Sequence, residues 1–135
     1  MKGDLSVRRL VVGLAAVLLV PTLLVGCERH PSGEGEWRTH VQGPGEPFGS
    51  GVFVISGDGV LDVAGDAGTE VWTARTGEDE LRVVAIQRES TGTLRLRIRV
   101  RDLSDPTPTV GLIQLSGLDD EPVPIEPGHR IHHSR

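Results

Sequence analysis

Three groups of side chains in this sequence have types and spacing that could do chemistry. Cys27 is the only thiol and closes an apolar N-terminal run from Leu10 to Leu24. With no second cysteine it can form no disulfide within the chain. Arg95, Arg97, Arg99 and Arg101 alternate with Leu94, Leu96, Ile98 and Val100. On a strand this spacing sets four guanidinium groups on one face, ~6.6 Å apart along the strand. Guanidinium forks suit carboxylate and phosphate, so such a face can take an anionic glycan, phosphate-bearing lipid head groups or an acidic partner. The plainer reading pairs these arginines with Glu70, Glu80 or Glu89 on neighbouring strands, where a charged ladder also discourages edge aggregation. His129, His132 and His133 near the C-terminus are the third group. Neutral imidazoles ligate Zn²⁺, Cu²⁺ or Ni²⁺. A tail supplies no further fixed ligands, and the plainer reading is a solvated end.

Other chemistry finds no footing. The serine-hydrolase, phosphate-loop and paired-cysteine metal signatures do not occur. Asp58, Asp62 and Asp66 recur every fourth residue, whereas an EF-hand loop needs ligands two apart and a distal glutamate. They read as turn residues. No nucleophile–base pair can be assembled, so the expected role is non-catalytic and calls for no cofactor. The net charge of −5 argues against a nucleic-acid binder. Aromatic residues are few (Trp37, Trp72, Phe48, Phe53, no tyrosine), which disfavours a stacked-ring sugar platform. A small β domain commonly needs one large ring inside, and Trp72 is expected there.

The elements that must position these groups are strands. Gly51–Ser56 is a short apolar run ended by the turn Gly57-Asp58-Gly59, and Val60–Val63 follows it. Thr69–Arg75 and Glu80–Gln87 flank the Thr76–Asp79 turn. Thr93–Arg101 has the clearest alternation, since a helix would scatter its four apolar residues around its circumference. Asp105-Pro106-Thr107-Pro108 interrupts ladder pairing before Val110–Ser116. Trp37–Val41 also alternates and can form a first edge strand. With no helical pattern after residue 27, the fold expected is all-β: an antiparallel β-sandwich of about seven strands, with a small barrel as the alternative.

Ahead of the strands, Lys2, Arg8 and Arg9 precede an apolar stretch of signal-peptide length, short of the ~20 residues that span a bilayer. Leu24-Val25-Gly26-Cys27 resembles the lipobox of bacterial lipoproteins. The resemblance implies cleavage before Cys27, lipidation of its thiol and a membrane-anchored domain in the cell envelope. An uncleaved anchor and an unlipidated secreted product are the alternatives. The organisation expected is a signal peptide with its helix over 1–26, a Gly/Pro/Glu-rich flexible linker over 27–48, the sandwich over 49–118 and an acidic, Pro/His-rich tail over 119–135.

The order of pieces from Gly51 to Gly117 resembles the cohesin-like β-sandwiches of secreted bacterial proteins. It includes a strand closing on Gly-Asp-Gly, the Val60-Leu61-Asp62-Val63 segment and Leu81-Arg82-Val83-Val84-Ala85. Gly92-Thr93-Leu94 then opens a long alternating strand, and a last apolar strand follows a Thr-Pro loop. The resemblance implies a cohesin-like or immunoglobulin-like module with a structural or protein-binding role. It carries over no partner-gripping residues.

Overall fold

Alternation of apolar and polar residues makes nine strands in the computed structural model, which describes residues 31–43, 47–88 and 93–135. They are β1 (Gly35–Gln42), β2 (Phe48–Ser56), β3 (Val60–Gly65), β4 (Thr69–Gly77), β5 (Glu80–Gln87), β6 (Thr93–Val100), β7 (Thr109–Gly117), β8 (Pro122–Val123) and β9 (Arg130–Ser134). All pairings are antiparallel. One sheet has the order β3-β6-β1-β9 and the other β4-β5-β2-β7-β8. Together they form the expected β-sandwich, with no helix among the described residues. The segment expected to be a signal peptide, with its helix over 1–26, and Cys27 lie outside the described residues.

The period of two decides what each sheet buries. In β6, Leu94, Leu96, Ile98 and Val100 point inward, the first three with no exposed surface. They meet Phe53 and Ile55 of β2, Leu81, Val83 and Ala85 of β5, and Val110 and Leu115 of β7. Each such side chain removed from water contributes on the order of 1.5–3 kcal/mol, which is how a domain without a disulfide holds together. Gly51 belongs to this packing: a Cβ there would come within 2.7 Å of the Phe53 ring, so the bare backbone makes room for it. Thr39, Thr69 and Gln87 are the buried polar exceptions among the described residues. The Thr69 hydroxyl donates to Gln87 Oε1 at 3.2 Å and accepts from the Arg95 amide at 3.1 Å, while Gln87 Nε2 donates to the Thr93 carbonyl at 3.0 Å. This network ties β4 and β5 to β6 across the sandwich and satisfies the groups it buries. At the opposite end Arg75 reaches from β4 to the carbonyls of Val60 and Leu61, bridging the adjacent sheet edges.

The structure redraws three expectations. Residues 35–42, assigned to the linker, form β1, and β1 is no edge: it lies between β6 and β9. Its Trp37, Thr39 and Val41 are buried, so the Gly/Pro-rich composition of the flanking residues hides a strand that contributes to the core. The tail expected to be solvated supplies β8 and β9, and β9 pairs with β1 along Arg38–Gln42. Half-buried Ile131 packs onto the core from β9. The sandwich therefore begins at Gly35 and includes the chain up to Ser134. Trp72, expected inside, is 53% exposed on the outer face of β4 beside Val84 of β5. Trp37 fills the interior instead.

Candidate functional site

The outward residues of β1, β6 and β9 form one continuous surface whose register fixes its contents. His40 stands opposite Arg95 of β6 on one side and His132 of β9 on the other. One row along, Arg38 lies between Arg97 and Ser134, and one row the other way Gln42 lies between Thr93 and Arg130. Three strands thus bring Arg38, Arg95, Arg97 and Arg130 together with two imidazoles whose ring centroids are 6.0 Å apart. An open depression of about 400 Å³ sits on this face, lined by Arg38, His40, Arg95, Thr93 and Ser134 together with Asp66.

Charge on this face is graded along the strands. Toward the start of β1, Arg99 lies 3.9 Å from Glu34 and Arg97 lies 3.8 Å from Glu36. Both pairs are long and exposed, worth well under about 1 kcal/mol each. Arg97 also donates through Nη2 to the Gly65 carbonyl at 3.4 Å, and its buried Nε has no hydrogen-bond partner among the described residues. Farther along, Arg38, Arg95 and Arg130 have no ion pair among the described residues. No large apolar side chain of this outer face is exposed; those lie elsewhere, with Trp72, Val84, Ile86 and Ile113 on strands of the other sheet.

The arginine ladder read from sequence is therefore real over three members. Arg95, Arg97 and Arg99 share the outer face, while Arg101 follows the end of β6, where its amide donates to the Gly59 carbonyl at 2.8 Å. The anticipated acidic partners stand elsewhere. Glu70 pairs with Arg88, and Glu80 accepts the Thr76 hydroxyl on the other sheet at 2.7 Å. Glu89 lies outside the described residues. Arg38, His40 and Arg130 were not singled out from sequence. The alternation of Trp37-Arg38-Thr39-His40-Val41 was the available signal, and only pairing with β6 shows that its polar face continues the arginine face.

The histidine group is separated by the same period. His132 faces outward beside His40, whereas His133 turns inward, with Nδ1 2.9 Å from the Thr39 hydroxyl and its ring edge-on to Trp37. His129 precedes β9, bonded to Glu126 and packed against Phe48. The three imidazoles do not converge, and no group of three or more metal-ligating side chains occurs among the described residues. Partial burial, reinforced by His132 and then His40, holds the His133 pKa below the usual imidazole value.

The start of the domain is pinned near the acidic end of the face. Asp102 Oδ1 accepts from the Ser104 amide at 2.8 Å, the Gly33 amide at 2.9 Å and the Ser104 hydroxyl at 2.8 Å. These bonds, the Ser104 amide first, lower the carboxyl pKa from its ordinary value. The Leu103 amide returns a bond to the Gly33 carbonyl at 2.8 Å. Comparison of the chain with family models, with curated proteins and with solved structures finds no match.

Proposed function

We propose that this protein is a non-catalytic, lipid-anchored β-sandwich module of the bacterial cell envelope that works by binding, and that its recognition surface is the cationic outer face of β1, β6 and β9. The observation that carries the reading is local. A chain of net charge −5 leaves Arg38, Arg95 and Arg130 without ion pairs among the described residues, the first two lining an open depression. Uncompensated guanidinium groups beside hydroxyl and amide side chains suit an anionic glycan, a lipid head group or an acidic protein partner. Catalysis has no such support, since the face offers no nucleophile joined to a base.

The anchor rests on Leu24-Val25-Gly26-Cys27 and carries a geometric consequence. Cys27 stands six positions before Gly33, which Asp102 and Leu103 hold to the domain. The full extension of that stretch is about 20 Å, so a lipidated Cys27 keeps the sandwich close to the bilayer. Intact mass of the membrane-extracted protein tests the anchor. A species beginning at Cys27 and heavier by lipid, lost in Cys27→Ser, is the expected result; an unlipidated product cut elsewhere refutes it.

A further inference from the structure

Resting on that reading of the face, we infer that its ligand is an acidic glycan carrying carboxylate or sulfate groups, and that His40 and His132 belong to the binding site together with Arg38, Arg95 and Arg130. Three features of the surface select this class. First, the cations repeat in rows along and across three strands, and the depression between them is open rather than enclosed. A chain with recurring anionic groups can satisfy several rows at once, whereas a single small anion can use only one. Second, the face exposes no large apolar side chain, so it lacks the apolar centre around which protein interfaces are built. Recognition there is by charge and hydrogen bonding, with Thr93, Gln42 and Ser134 beside the guanidinium groups.

Third, the cationic half is the part of the face farthest from the anchor. His40 lies seven residues beyond Gly33, about 23 Å along an extended strand. The end near Gly33 carries Glu34, Asp58, Asp102 and Asp105, brought together by the contacts of Gly59 with Arg101 and of Gly33 with Asp102 and Leu103. The tether meets the domain at that end, so the guanidinium groups without ion pairs lie at the opposite end of the face. A polymer in the surrounding envelope reaches them without approaching the membrane.

The paired imidazoles give the site a measurable signature. Facing them are Arg95 from β6 in their own row, Arg38 and Arg97 in the next row, Arg130 on β9 in the row on the other side and Asp66 in the lining of the depression. His133 approaches from the inner side of β9. Protonation of an imidazole adds one positive charge to the face. One added charge about 6 Å from an anionic group in a water-like dielectric strengthens binding roughly threefold, and two strengthen it roughly tenfold.

The test is titration of the membrane-extracted full chain with oligogalacturonate, whose carboxylates stay ionised across the range, at about pH 7.5 and about pH 5.5. Wild type should bind roughly tenfold tighter at the lower pH. His40→Gln/His132→Gln should bind with little dependence on pH. Arg38→Glu/Arg95→Glu should lose binding at both, with circular dichroism matching wild type because all four positions are on the surface. Binding of anionic phospholipid vesicles or an acidic peptide in place of the oligosaccharide would overturn the glycan and leave an anion-binding face. A pH-independent affinity would remove the imidazoles from the site. Failure of all three probes to bind would overturn both this inference and the function proposed above.

Discussion

Replacing Ile131 by alanine asks whether β9 is part of the fold. Ile131 is half-buried against the core cluster, on a strand that pairs with β1 over Arg38–Gln42. Full burial of an isoleucine side chain is worth about 1.5–3 kcal/mol, and truncation of a half-buried one therefore costs about 1–2 kcal/mol. The loss is capped by the docking energy of β9 itself, because a weaker strand simply undocks. For a domain of this size, with a urea slope near 1.5 kcal/mol per M, the unfolding midpoint falls by about 1 M. Trp37 supplies a local readout. It is 7% exposed, with His133 edge-on to its ring and the Arg135 guanidinium 4.5 Å above it. In a Trp72→Phe background, which removes the exposed indole, acrylamide should quench Trp37 weakly in the parent and more strongly in the Ile131→Ala variant. A midpoint shift below about 0.2 M with unchanged quenching would refute the reasoning and return residues 130–134 to a solvated tail.

The turn between β3 and β4 offers a steric prediction: a Cβ on Gly65 would collide with the Thr69 carbonyl oxygen, so Gly65→Ala should cost about 2–3 kcal/mol in urea unfolding. Ala67→Gly in the same turn, where φ is +46°, should be neutral or mildly stabilising; equal losses in both variants would dismiss the collision. His133 makes stability depend on pH with a definite sign. Because burial lowers its folded pKa, the unfolded chain takes up the proton first, so stability is lost as the pH falls below the ordinary imidazole value near 6.5 and is unaffected above it. His133→Gln should flatten that acid limb in thermal unfolding followed between about pH 7.5 and pH 5, and an unchanged limb would exclude His133 as its source.

Much of the strand pattern is legible along the chain. The alternation in Thr93–Val100 and Glu80–Gln87 identifies β6 and β5 within a residue: in β6 every apolar residue is buried, and in β5 Leu81, Val83 and Ala85 are buried while Glu80 and Arg82 face water and Val84 and Ile86 lie on the exposed side. The same logic was open for Trp37–Val41, but surrounding glycines and prolines made the segment resemble a tether, and its burial depends on pairing with β6 and β9. Arg130–Ser134 carries only one large apolar residue, so its strand character comes from the edge that β1 provides. Trp72 shows the converse limit. Alternation assigned it to a face with Glu70 and Ala74, yet which face looks inward is settled by the partner sheet.

The candidate site divides along the same line. From the order of residues alone come the all-β class, the arginine ladder and the lone Cys27, since each depends on residue type and on spacing within one short segment. The tertiary structure alone decides that Arg101 leaves the ladder, that His132 and His133 part to opposite faces, and that Arg38 and His40 join Arg95 around one depression with Arg130 on the same face opposite Gln42. Those facts are set by hydrogen-bond register between strands as far apart in sequence as β1 and β9, and register is fixed by burying both inner faces at once.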